Sequence, residues 1–135
     1  MEFVLDCSMA MAWCFSDEDG VYTEGVLKSL ANTIAHVPPL WNYEVCNVLV
    51  QAEKKKRLTK AESSHFLDLL NKLPIVEDKT TPNLSEILTI SRNHGISAYD
   101  AAYIELALRN GLPIATLDKD LKNAATKEGL KVYKP

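Results

Sequence analysis

Apolar and polar positions follow two different rhythms along this chain. Short apolar runs closed by a polar or turn residue predict buried strands, and longer stretches with an apolar residue every third or fourth position predict amphipathic helices. The run around Phe3-Val4-Leu5 predicts a strand over residues 2–6. Residues 8–15 predict a short first helix, and Val26, Leu27 and Leu30 a second over 21–31. Thr33 to Val37 predicts a strand stopped by Pro38-Pro39. Residues 40–57 predict a long helix with Trp41, Val45, Val48, Leu49 and Ala52 on one face. Its last turn would be Lys54-Lys55-Lys56-Arg57, cations where the helix dipole favours them.

Thr59-Lys60-Ala61-Glu62 has the capping-box spacing and opens a helix with Phe66, Leu69, Leu70 and Leu73 on its apolar face. Ile75-Val76 predicts a short strand, and Pro82 to Asn93 a helix ending at Gly95. Ser97 to Asn110 predicts a very apolar helix ending at Gly111. Pro113 to Leu117 predicts a strand, 119–128 a helix ending at Gly129, and Lys131 to Tyr133 a last strand. This alternation argues an α/β fold, a mainly parallel central sheet flanked by helices in an α/β/α sandwich. No repeat, low-complexity segment or linker interrupts it, so residues 1–135 are expected to form one domain.

Composition narrows the function classes. Apolar residues are 47% and charged residues 24%, ordinary for a soluble globular chain. No apolar run approaches the roughly 20 residues of a membrane span, and acidic Glu2 with no basic stretch does not read as a signal peptide. The expected location is the cytoplasm, with no membrane partner. Cys7, Cys14 and Cys46, and His36, His65 and His94, fit no metal spacing and read as reduced thiols and ordinary histidines. The net charge of −3 argues against a nucleic-acid partner only weakly, because two bound divalent ions would turn it into +1.

The chemistry lies in four isolated acids beside apolar segments: Asp6, Glu44, Asp100 and Asp118. Each has a structural reading. Asp6 and Asp118 could cap the helices that follow them, and Ser97-Ala98-Tyr99-Asp100 fits a loose capping box. Glu44 resists such a reading: it lies inside a helix on the edge of the apolar stripe, with Val at position 48 where a salt-bridging Lys would stand. Asn47, one turn on, adds a second polar group to that edge. A single functional reading covers all four. Parallel sheets bind ligands outside the carboxyl ends of their strands, and Asp6 and Asp118 both follow a predicted strand. Four converging carboxylates make a site for a hard cation. Paired divalent ions hydrolyse phosphodiesters with no Ser-His pair, Cys nucleophile or glycine-rich phosphate loop. Ser8 and Thr116, two residues from Asp6 and Asp118, could orient carboxylates or a ligand water, or serve as turn residues. Asp120 reads as a first-turn helix acid or a reach to a second ion. The 54–57 basic run reads as a solvated helix end or an RNA contact.

Four segments carry a resemblance. Phe3-Val4-Leu5-Asp6-Cys7-Ser8, Pro39 to Leu49 around Glu44, Ile96 to Tyr103 around Asp100, and Ile114 to Leu121 around Asp118 are similar, in order, to the four acidic motifs of the PIN-domain ribonucleases. Within that family the chain resembles the VapC toxins of toxin–antitoxin modules. The resemblance covers nearly the whole chain. It implies a compact PIN domain and a Mg2+- or Mn2+-dependent endoribonuclease. Asp6, Glu44, Asp100 and Asp118 would be its catalytic and metal-binding set, with Ser8 and Thr116 as polar support. It implies structured RNA substrates such as tRNA or ribosomal RNA, a homodimer, and a small VapB-like antitoxin whose tail covers the site. Promoter DNA would be bound only through that antitoxin.

Two rival readings stay distinguishable. A PIN-fold binding module acting mainly through its antitoxin and promoter control would be expected to have lost a ligand, whereas all four acids are present. An aspartyl-nucleophile phosphatase would form a phosphoaspartate at Asp6, but that chemistry wants a second Asp two residues on, where this chain has Ser8.

Overall fold

The computed structural model describes residues 1–15 and 20–135. Its strands are β1 (Phe3–Leu5), β2 (Ala35–Val37), β3 (Ile75–Glu77) and β4 (Ile114–Ala115). Its helices are α1 (Cys7–Ala12), α2 (Val21–Ser29), α3 (Leu40–Lys54), α4 (Lys60–Asn71), α5 (Leu84–His94), α6 (Ala98–Asn110) and α7 (Lys119–Lys127). Each pair of successive strands is thus joined by two helices. The strands form one parallel sheet in the order β3-β2-β1-β4.

That order fixes where a ligand can sit. The chain steps outward from β1 to β2 to β3, then returns past β1 to lay β4 on its other side. Right-handed crossovers place the helices of the outward steps on one face and those of the return on the other. The packing agrees: α1 lies against α3, while α5, α6 and α7 pack together. The direction of travel reverses between β1 and β4, and a crevice opens at such a switch point beyond the carboxyl ends of the strands.

Burial explains the sequence rhythm. β1 is flanked by strands on both edges, and Phe3, Val4 and Leu5 are all fully buried, so it shows no alternation. β3, at the edge, leaves Val76 half exposed. α6 is apolar nearly all round because Ala101, Tyr103, Ile104, Leu106 and Ala107 are all buried. α5 and α6 stop at Gly95 and Gly111, whose φ values of 63° and 64° suit a residue without a Cβ. The Thr59 capping box forms as expected, Glu62 N–H donating to Thr59 Oγ1 and Thr59 N–H to Glu62 Oε1.

Among the boundaries that differ from expectation, four have a visible cause. The helix expected over 40–57 ends at Lys54. Lys56 turns left-handed at φ 59°, and Lys56 and Arg57 N–H donate back to Glu53 and Ala52 carbonyls, closing a Schellman turn without glycine. Only Lys54 of the basic run is therefore helical, and Arg57 sits 4.2 Å over the Phe15 ring. The strand expected over 113–117 keeps only Ile114 and Ala115, because Thr116 leaves the ladder to bond Asp6. The strand expected over 131–133 is a single parallel bridge, Ile114 to Val132, as so short a β4 offers little edge to extend. The helix expected from Pro82 starts at Leu84, with Asn83 capping Glu86 N–H.

One charged group inside α6 escaped the sequence reading. Glu105 is buried, and Arg109 one turn later holds it with two hydrogen bonds of 2.8 and 2.9 Å. Arg109 also forks onto both oxygens of Asp78 after β3. Burial pushes the Asp78 carboxyl up, but the hydrogen bonds and charge of Arg109 outweigh it and hold the group below its ordinary value. Removing one partner of such a buried pair strands the other charge. Arg109→Ala is expected to cost about 3 kcal/mol of stability, read as a lower urea midpoint. Adding Glu105→Gln should restore part of that loss, and a variant as stable as the parent would remove the pair from the account of the fold.

Candidate active site

Asp6 emerges from the carboxyl end of β1, its N–H held by Ala115 O of β4 at 3.0 Å. It occupies the N-cap position of α1 but makes no side-chain cap bond. Its Oδ2 instead accepts from Ser8 Oγ and Thr116 Oγ1, both at 2.6 Å. The carboxylate can only accept, so both hydroxyls donate to it, and each also accepts a backbone N–H: Leu117 onto Ser8 at 3.1 Å and Asp118 onto Thr116 at 3.0 Å. The turn-residue reading of Ser8 and Thr116 thus holds together with an orienting role. They stitch the ends of β1 and β4 to one carboxylate oxygen.

Asp118 is the N-cap of α7, its Oδ1 accepting from Asp120 N–H at 2.9 Å and Leu121 N–H at 3.1 Å. The capping reading is correct here, and the side chain remains exposed. Asp100 is half buried in the first turn of α6, where Ser97 Oγ accepts its N–H at 3.1 Å. Glu44 is half buried in α3 and accepts from Tyr103 Oη of α6. Asn47 is exposed on the following turn.

Asp6, Glu44 and Asp100 each feel the charge of at least one other acid of the set. The Glu44 carboxyl is pushed up by burial, eased by the Tyr103 hydrogen bond, and pushed further by the charges of Asp6 and Asp100. Asp100 is pushed up by burial, then by Asp118 and Asp6, with Asp120 adding a smaller push against the relief from Ser97. Asp6 is pushed up by burial and, more weakly, by Asp118, despite its two hydroxyl donors. No cation lies among these causes. Glu105, a comparably buried carboxylate, has Arg109. The contrast separates a structural charge from a set held for something else.

The donor set suits a hard divalent ion: oxygen only, anionic, partly desolvated and pre-oriented at Asp6. Among the described residues, no three His, Cys, Asp or Glu side chains are already gathered at ligating distance. Magnesium uses few direct carboxylates and keeps several waters, so a more widely spaced set fits it. A cavity of about 410 Å³ lined by Trp41, Val45, Leu70 and Ile75 contains none of the four acids.

Tyr103 is the site residue the sequence reading passed over. It is fully buried, and burial together with the Glu44 hydrogen bond pushes its phenol far above the usual range, so it stays a donor. Its spacing three residues after Asp100 was the available signal, since that places both on one face of α6. Cys7 borders the same acids, and burial and the charges of Glu44 and Asp6 raise its thiol to about 12, which keeps it protonated and inert. The basic run begins about 15 Å along α3 from Glu44 by helical rise, too far to touch the same phosphate.

A family model described as PIN domain matches residues 3–127. A ribonuclease VapC3 of Pyrobaculum aerophilum is 28% identical over 90% of this chain and 92% of its own length. A ribonuclease VapC3 of Mycobacterium tuberculosis is 33% identical over 70% of this chain and 68% of its own. Among solved structures, PAE2754 from Pyrobaculum aerophilum superposes with a TM-score of 0.69 at 26% identity, covering 92% of this chain and 79% of that one. VapBC2 from Rickettsia felis, bound to a DNA fragment from their promoter, gives 0.67 at 15% identity over 98% of each chain, a likeness of fold alone.

A carboxyl that holds its proton more tightly when folded stabilises the fold below its unfolded pKa, and this contribution is lost as pH rises through the folded value. Asp6, Glu44 and Asp100 all shift upward from ordinary values of 3.8 for Asp and 4.5 for Glu. In EDTA their contribution to stability should therefore decline from about pH 4 upward. Asp100→Asn, which deletes one repelled charge, should melt higher than the parent at pH 7.5 without divalent ions and gain less on adding Mg2+. Calorimetric melting in both buffers checks this; an Asn variant that melts lower in EDTA contradicts it.

Proposed function

This chain belongs to the PIN-domain family and, within it, to the VapC ribonucleases, and from that premise we propose that it is a metal-dependent endoribonuclease that hydrolyses RNA phosphodiesters. The observation that carries the proposal is the group of mutually repelling carboxylates at the switch point, with no cationic partner among the described residues. Asp6, Glu44, Asp100 and Asp118 would hold Mg2+ or Mn2+. When bound, such an ion would supply an activated water and charge neutralisation at the phosphate.

The chain's own residues do the rest. Ser8 and Thr116 fix the rotamer of Asp6 by occupying Oδ2. Tyr103 donates to Glu44 and so favours its charged form against burial and the neighbouring acids. Asp118, anchored by two backbone N–H groups, adds negative charge at the exposed rim. Hydrolysis would leave 5′-phosphate and 3′-hydroxyl ends. The proposed setting is the cytoplasm, with tRNA or ribosomal RNA as substrate. The proposed assembly is a homodimer inhibited by a VapB-like antitoxin that alone contacts promoter DNA. The Rickettsia felis neighbour, solved as VapBC2 bound to a promoter DNA fragment, offers an analogy for the antitoxin and DNA part of that assembly.

Purified protein should cut structured RNA at discrete internal positions in Mg2+ or Mn2+ and not in EDTA. Asp6→Asn and Asp100→Asn should lose about 100-fold or more, and Thr116→Val about 10- to 100-fold. Induced expression should arrest growth only for the parent. Equal cleavage by parent and Asn variants would identify a contaminating nuclease and sink the proposal.

A further inference from the structure

The mechanism leaves one surface feature unused. α6 carries tyrosines at 99 and 103, four residues apart and therefore stacked along one face, one turn above the other. Tyr103 is fully buried and reaches Glu44, so it floors the site. Tyr99 lies one turn nearer the helix N-terminus, beside Asp100, and is 68% exposed. A second exposed tyrosine, Tyr43, precedes Glu44 on α3 and is 78% exposed. Neither ring serves the core, and the fold would bear polar residues at both positions.

We propose that Tyr99 is a substrate-binding residue that stacks on an unpaired RNA base next to the scissile phosphate, with Tyr43, one residue before Glu44 on α3, as a second platform. The inference rests on the ribonuclease reading and deepens it. Four facts carry it: the Tyr99–Tyr103 face leads from the Glu44 floor to the rim; both exposed rings directly precede site acids; aromatic faces accept any base; and an acidic site needs attraction to the substrate from something other than charge. A base in a duplex has its faces covered by its neighbours, so this platform selects single-stranded or looped RNA.

The experiment compares parent, Tyr99→Leu and Tyr99→Phe. Fluorescence anisotropy reads binding of a labelled unstructured RNA oligonucleotide, and of its duplex, in Ca2+; titration calorimetry reads Mn2+ binding without RNA. The expected result is tighter binding of the single strand by the parent and about a 5- to 100-fold loss in Tyr99→Leu, the range one stacked base gives. Tyr99→Phe should stay within about twofold of the parent, with unchanged Mn2+ binding in all three. RNA affinity unaltered in Tyr99→Leu overturns the inference alone. Equal loss in the Phe variant overturns it too, because the hydroxyl rather than the ring would then matter. A changed oligomeric state by sedimentation, with RNA affinity per protomer retained, would make Tyr99 an interface residue instead. Mn2+ binding by a parent that binds no RNA, paired or unpaired, would overturn the ribonuclease reading and this inference with it.

Discussion

The structure turns on one buried carboxylate that has no counter-ion among the described residues. Asp6 is 5% exposed at the end of the central strand, where an unpaired charge is among the costliest things a fold can hold. Two hydroxyl donors on a single oxygen meet part of that cost, and backbone N–H groups in turn hold both hydroxyls. Much of the surrounding geometry follows. β4 must lie beside β1 for Thr116 to reach Asp6, and β4 must stop at Ala115 to release Thr116 from the ladder. The bend that results sets Asp118 at the start of α7.

Two carboxylates of similar burial show what the fold does with charge when it is free to choose. Glu105 is paired with Arg109, and Arg109 with Asp78, a network in which each charge meets its opposite. Asp6, Glu44 and Asp100 receive uncharged donors, the hydroxyls of Ser8, Thr116, Tyr103 and Ser97 and, at Asp6, the Cys7 backbone N–H. Hydroxyls orient a carboxylate without neutralising it. The set therefore keeps its affinity for a cation from solution and bears mutual repulsion in its absence, a stability cost typical of sites selected for chemistry.

This division also explains what was legible in the sequence. Strand and helix types were readable where burial imposed a period: the unbroken apolar β1, the all-round apolar α6, the Thr59 capping box. The four acids stood out for the same reason, as charges interrupting apolar stretches. What could not be read depended on contacts between distant segments. Thr116 looks like a strand residue until Asp6 is known to lie opposite. Lys56 carries no mark of a left-handed turn, since lysine rarely adopts one. Tyr103 is one more apolar-face residue until α3 brings Glu44 to its hydroxyl. Glu105 was overlooked in a helix read as apolar, although Arg109 four residues on has the favourable ion-pair spacing.

Chain direction explains how acids so far apart in sequence share one end of the molecule. In a parallel sheet every strand points the same way, so helices that begin directly after strands all present their N-termini at the carboxyl edge. α1, α3 and α7 do so after β1, β2 and β4. Asp6 and Asp118 take N-cap positions, and Asp100 lies in the first turn of α6, where the partial positive charge of a helix start favours an anion. That field fades beyond the first turn. Glu44 follows Leu40, the first residue of α3, by four and lies past it. It is also the acid that takes a phenol from the opposite helix layer. The Tyr103 hydroxyl thus supplies at Glu44 the positive end of a dipole that the helix itself supplies to the other three, and in doing so it ties the two layers together across the open end of the sheet.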